Sequence, residues 1–175
     1  MGFLDKLFGK DEPAKPAAPE AVAVVAEEGA VFAPVTGTAV ALADTSDPVF
    51  SSEAMGKGIA IEPDNEVAFA PISGEVTAAM GHAFGITGDD GIEALVHVGI
   101  DTVSMNGAGF TPYAKQGDRV KAGQPVLGFS KAKIAEAGYA NTVFTVITNT
   151  AELASVEPCA EGHVDAGQKV VVCKK

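Results

Sequence analysis

From Ala30 onward, apolar positions come in short β-branched runs punctuated by Gly, Pro, Asn and Asp. The runs Ala30–Pro34, Thr38–Ala41, Gly58–Glu62, Val67–Ala70, Gly74–Ala78, Phe84–Thr87, Glu93–Val98, Pro125–Gly128, Thr142–Thr148 and Lys169–Cys173 read as strands, because β-branched side chains suit a pleated surface and turn residues bound each run. Asp89-Asp90-Gly91 between two of them is a hairpin-like turn signal. One short helix is predicted, with Ser130 as cap, Lys131 to Ala137 as helix formers and Gly138 at its end. Closely spaced strands without crossover helices predict an all-β fold, an antiparallel β-sandwich or barrel-sandwich with one or two short helices.

Two internal echoes sharpen that expectation. Phe32-Ala33-Pro34-Val35-Thr36-Gly37 returns as Phe69-Ala70-Pro71-Ile72-Ser73-Gly74, and Val120-Lys121-Ala122-Gly123-Gln124 returns as Val164-Asp165-Ala166-Gly167-Gln168. Two different pairs of echoes predict one strand–turn–strand unit used twice about a pseudo-twofold, not a solenoid. Upstream, residues 1–10 (MGFLDKLFGK) place Phe3, Leu4, Leu7 and Phe8 on one side of a helix, an amphipathic segment that orders only on a surface. Residues 11–28, with Pro13, Pro16 and Pro19 among alanines, read as an extended tether, and residues 29–175 as the domain.

Composition narrows the function. Twenty-three acidic against twelve basic side chains give a net charge of −11, which excludes electrostatic nucleic-acid binding. No apolar run approaches the roughly 20 residues of a membrane span, and no long apolar leader is present, so a cytoplasmic protein is expected. Cys159 and Cys173 form no C-x-x-C pair and are expected to be reduced thiols. The chain carries no G-x-S-x-G elbow, H-E-x-x-H pair or phosphate-binding glycine loop, so serine hydrolysis, zinc peptidase chemistry and nucleotide hydrolysis lack their parts.

The histidines remain. His163 lies in the second copy of the turn motif where the first has Arg119, a position read as exposed and without a role. In Ile92-Glu93-Ala94-Leu95-Val96-His97-Val98-Gly99, residues 92, 94, 96 and 98 make one apolar face, and Leu95 and His97 share the other. His97 is therefore no core filler, and Gly99 beside it lets another molecule approach the backbone. His82, between Gly81 and Ala83-Phe84, sits at a turn entering a strand. An imidazole nitrogen is a good phosphoryl acceptor when its lone pair is free and the other nitrogen donates to a carbonyl. With the ordinary imidazole value of about 6.5, both rings should be protonated once the pH is well below it, with loss of acceptor activity.

With these residues in view, the chain resembles the enzyme IIA component of the glucose superfamily of the bacterial sugar phosphotransferase system. The resemblance rests on Phe50-Ser51-Ser52-Glu53-Ala54-Met55-Gly56-Lys57-Gly58-Ile59-Ala60-Ile61, Phe69–Gly74, Gly81-His82-Ala83-Phe84-Gly85-Ile86, Leu95-Val96-His97-Val98-Gly99-Ile100-Asp101-Thr102-Val103, Gly107–Phe110 and Gly117–Gly123. It implies a compact antiparallel β-sandwich in which His97 accepts phosphate on Nε2 from the carrier HPr and passes it to the IIB domain of a sugar permease. It implies that His82 stabilises the phosphoryl group, that the Gly99 carbonyl fixes the His97 ring, and that Asp101 stands beside the site. Phe50, Phe84, Leu95, Val98 and Val103 are the expected partner-docking positions, less aromatic at 95 and 98 than in the glucose-specific branch. Met80 stands where many relatives have Thr. No cofactor is expected, and no metal in the free protein, with His82 and His97 as candidate zinc ligands in a partner complex. A monomer is expected, with residues 1–10 as a peripheral contact to the inner face of the membrane. Two other readings compete. Glu53-Ala54-Met55-Gly56-Lys57 is similar to a biotinylation string, although Gly56 displaces Lys57, so a biotinyl- or lipoyl-type carrier is one. A regulatory binding module never phosphorylated on His97 is the other.

Overall fold

Alternation along β7 (Glu93–Val98) sets the frame: Ala94, Val96 and Val98 enter the main core, while Leu95 packs into a second cluster on the opposite face. The computed structural model describes residues 17–175, so the amphipathic segment 1–10 lies outside the described residues. Around β7, an eight-stranded antiparallel sheet forms from β2 (Gly37–Val40), β3 (Lys57–Pro63), β5 (Gly74–Met80), β6 (Ala83–Gly88), β9 (Arg119–Val120), β11 (Val143–Ile147) and β13 (Gly162–Val164). Its order is β13-β2-β3-β11-β7-β6-β5-β9. Two three-stranded sheets pack on its core face. One is β1 (Ala30–Phe32), β14 (Lys169–Lys174) and β12 (Ser155–Pro158), with β14 central; the other is β4 (Val67–Phe69), β10 (Pro125–Phe129) and β8 (Phe110–Pro112), with β10 central. The core between the layers is aliphatic, built on Val31, Ile59, Ile61, Val76, Ile86, Val96, Val143 and Val171 with few aromatics. The antiparallel sandwich expected from the strand spacing is what forms.

Every predicted strand is present with small shifts at its ends. The strands that pattern did not reveal, β8, β9, β12 and β13, have two to four residues and carry mostly polar or exposed positions, too short to alternate. The predicted helix is α2 (Lys131–Glu136), with the Ser130 hydroxyl accepting from the Lys133 N–H and Gly138 at φ +87° beyond its end. A second short helix, α1 (Pro48–Ser51), completes the one or two expected, at a position that the strand and helix patterns do not mark. Among the described residues no helix is long and apolar enough to cross a membrane. Both thiols are free, Cys159 exposed and Cys173 buried, and burial pushes the Cys173 thiol up to about 11.

The echoes are a structural duplication. Ala33 N–H donates to Gln168 O and Gly167 N–H to Ala33 O; in the other half, Ala70 N–H donates to Gln124 O and Gly123 N–H to Ala70 O. Ala166 N–H donates to the Thr36 hydroxyl, and Ala122 N–H to the Ser73 hydroxyl. The halves are stitched by Phe69 N–H to Pro34 O and Phe32 N–H to Pro71 O. His163, paired with Asp165, and Arg119, paired with Asp89, are both well exposed, as their equivalence implied.

The described part of the tether has no regular structure, yet it touches both echoed turns. Val22 N–H donates to Gly123 O at 2.9 Å, and Lys169 pairs with Glu27 at 2.6 Å. Val24 lies against Gly123 and Gly167, which stand at φ +89° and +90°. A Cβ on either glycine would collide with a tether carbonyl, that of Val22 or Ala23. Both echoed glycines are thus required twice over, by backbone angle and by close approach.

Candidate functional site

The outer face of β3, β7 and β11 carries a compact apolar cluster of Leu42, Phe50, Ala60, Leu95, Phe144 and Val146, and His97 stands on the same face. In the strand register His97 has Phe144 on one side and Ala83 on the other. Asp47 caps α1, accepting from the N–H groups of Val49 and Phe50 at 2.8 and 3.3 Å, and Pro48 supplies the first helical φ. That cap turns the Phe50 ring inward, stacked on Phe144 at 4.2 Å and tilted against His97 at 5.0 Å between centroids. His97 therefore rests on aromatic rings that fix its plane.

His82 reaches the same place from the β5–β6 hairpin. Its two-residue turn, Gly81-His82, follows a bulge at Thr77 that increases local twist. The turn presses on the loop after β7: a Cβ on Gly81 would meet the Gly107 Cα at 2.8 Å. His82 O accepts from Val98 N–H at 2.9 Å. The two imidazoles lie edge to face, 4.6 Å apart at 79°. The two histidines singled out from the sequence are neighbours on the outer face.

His97 Nδ1 lies 2.8 Å from Gly99 O. A carbonyl only accepts, so Nδ1 carries the proton and Nε2 the lone pair. Burial, reinforced by His82, pushes His97 down to about 4, against the opposing pull of the Gly99 hydrogen bond and the carboxylates of Asp47 and Asp101. Burial also lowers His82. This corrects the expectation that the acceptor titrates from the ordinary imidazole value of about 6.5: a half-buried ring facing another imidazole stays neutral well into acid.

The structure corrects two further readings. Gly99, at φ +84°, does not leave room for another molecule; the Thr102 methyl already fills the space where a Cβ would stand. Of the docking positions, Phe84 and Val98 are core residues, and Phe50 and Leu95 lie in the cluster beneath His97. Only Val103, 61% exposed, lies on the surface. Strand alternation is the reason, since position 98 shares the inward face of 94 and 96. Val49, Met55 and Met80 are the other exposed large apolar residues of the elements around the site, and Met80 supplies no hydroxyl toward His82. Asp101 is exposed at φ +62°, heading the turn Thr102–Met105. Asp47, Thr102 and Phe144 were missed. Asp47-Pro48 was a readable helix start, whereas Phe144 lies in a strand apolar on both faces and Thr102 carries no pattern at all. Among the described residues no group of three or more His, Cys, Asp or Glu side chains could hold a metal.

Comparison with known proteins identifies the family. The family model described as phosphoenolpyruvate-dependent sugar phosphotransferase system, EIIA 1, matches residues 29–153. The beta-glucoside-specific EIIBCA component of Dickeya chrysanthemi is 43% identical over 90% of this chain, which spans only 26% of that longer protein. The glucose-specific EIIA component of Halalkalibacterium halodurans is 36% identical over 99% of this chain and 98% of its own length. The solved structure of glucose permease IIA from Mycoplasma capricolum superposes with a TM-score of 0.77 at 33% identity, covering 82% of this chain and 94% of that one. Lys57 opens β3 and pairs with Ile147, and the biotinyl-carrier reading falls with the family match. The chain belongs to the EIIA 1 family of the phosphoenolpyruvate-dependent sugar phosphotransferase system, and its chemistry is that of a phosphohistidine-relay phosphotransferase component.

Proposed function

We propose that His97 accepts the phosphoryl group of phosphorylated HPr on Nε2 and passes it to the IIB domain of a sugar permease. The observation that carries this reading is the Nδ1···Gly99 O hydrogen bond, which leaves Nε2 as the free nucleophile. As Nε2 forms its bond to phosphorus, the P–N bond of the donor histidine breaks and its electron pair returns to the donor ring. The His97 ring gains positive charge, which the Gly99 carbonyl and the nearby Asp47 and Asp101 carboxylates stabilise. His82, 4.6 Å away, is placed to hydrogen-bond the transferring oxygens, and in-line placement is most of what this transfer requires. Exposed Val49, Met80 and Val103 around the rings offer a shallow apolar face to both partners.

The protein acts as a monomer in the cytoplasm, and residues 1–10 supply a peripheral contact to the inner membrane face. Two adjacent imidazoles also suit half of a tetrahedral zinc site whose other ligands a partner brings; the relay itself uses no cofactor. The test is transfer of labelled phosphate from phosphoenolpyruvate through enzyme I and HPr. Acid-labile, alkali-stable label on the wild type and none on His97→Ala are expected. His82→Ala should take up label and pass it on roughly a hundredfold to a thousandfold more slowly, the usual worth of a transition-state donor. Labelling of His97→Ala at the wild-type rate overturns the reading.

A further inference from the structure

The peptide planes that hold Gly99 O on His97 are pinned by four hydrogen bonds. Three come from the backbone: Val98 N–H to His82 O at 2.9 Å, Gly99 N–H to Thr142 O at 2.8 Å and Ile100 N–H to Ala140 O at 3.0 Å. The fourth is the only one from a side chain, the Thr102 hydroxyl to Val98 O at 2.5 Å. Val98 is the last residue of β7, where the ladder stops and a carbonyl needs another donor. Thr102 is completely buried, its hydroxyl satisfied at that carbonyl and its methyl against Gly99 Cα. The turn it opens, Thr102–Met105, leads to Gly107, against which the His82 hairpin is pressed.

We propose that Thr102 is a positioning residue of the relay: its hydroxyl holds the Val98–Gly99 peptide so that the Gly99 carbonyl keeps the proton of His97 on Nδ1 and the lone pair on Nε2. The proposal rests on His97 as the phosphoryl acceptor. Thr102→Val keeps the shape and removes the donor; Thr102→Ser keeps the donor. A merely structural role would lower stability in both and leave the tautomer of His97 alone.

The experiment pairs two readouts, the tautomer of 15N-labelled His97 by long-range 1H–15N spectra at neutral pH, and single-turnover uptake from phosphorylated HPr. In Thr102→Val a population of the Nε2–H tautomer is expected. Uptake at saturating donor should fall roughly tenfold to a hundredfold, the cost of a small misplacement, with half-saturation within about twofold of wild type. Thr102→Ser should match wild type in both. The proposal is overturned if Thr102→Val keeps the wild-type tautomer and rate, or if Thr102→Ser falls as far as Thr102→Val. Should Thr102→Val fail to fold, the wild type decides. A hydroxyl proton in slow exchange on a single Thr102 rotamer supports the assignment, and a rotamer-averaged, fast-exchanging one refutes it. Failure of the wild type to take up phosphate refutes the relay itself, while the tautomer comparison still judges Thr102.

Discussion

At His97, burial and a neighbouring imidazole outweigh two carboxylates and a carbonyl, and the ring titrates at about 4. Phosphate uptake should therefore stay near its neutral-pH rate at pH 5 and decline only toward pH 4; a decline centred on the ordinary imidazole value, in a single-turnover pH profile, would contradict the burial seen here. The same depression links folding to pH. Between about 6.5 and 4 the unfolded chain holds a proton on this histidine that the folded chain does not, so stability falls as pH falls through that window. His82, also lowered by burial, acts in the same direction. A quite different residue bears a gratuitous cost. Thr145 is wholly buried between Ile59 and Val96, and its hydroxyl has no partner. Thr145→Val preserves its shape and should raise unfolding stability by roughly 1–2 kcal/mol in urea titrations; a loss of stability would mean that the hydroxyl is satisfied in solution.

Among the elements, α1 matters beyond its four residues because it seats Phe50 on His97 and Phe144. Asp47→Ala removes its cap and should cost about 1 kcal/mol of stability. It also frees the Phe50 ring, so slower phosphate uptake should accompany the drop in urea midpoint; unchanged uptake would show that Phe50 does not orient the acceptor. These elements differ in how readily the sequence discloses them. β7 alternates cleanly and assigned His97 to the outer face, and Ser130 and Gly138 bracketed α2 without ambiguity. β11 does not alternate, because its Phe144 and Val146 fill one apolar cluster while Val143 and Ile147 fill another. For that reason no pattern marks the second cluster beneath the histidines, and Phe50 and Leu95 read as surface positions although they lie within it. The edge that joins His82 to the β7 loop runs through main-chain atoms and two glycines, and such contacts leave no trace in side-chain pattern.

At the level of the whole molecule, each echoed turn closes on a strand segment far from it in sequence: Gly167 and Gln168 on Ala33, Gly123 and Gln124 on Ala70. The echoes announced a duplication, but the pairing of halves depends on distances that no local pattern encodes. The tether ties the two turns together. Val24→Ser, half-buried against Gly123 and Gly167, should lower stability by about 1 kcal/mol, whereas Val25→Ser, at 85% exposure, should be neutral. Equal effects in thermal unfolding would show that the tether is not seated in solution. The central place of β14 carries a consequence for biosynthesis. Among the described residues β1 and β12 pair as strands with residues 169–174 alone, so a nascent chain on the ribosome holds β1 without its strand partner until those residues have emerged. A premature stop codon ahead of Lys169 would remove both pairings at once, and the truncated polypeptide should be cleared by proteolysis.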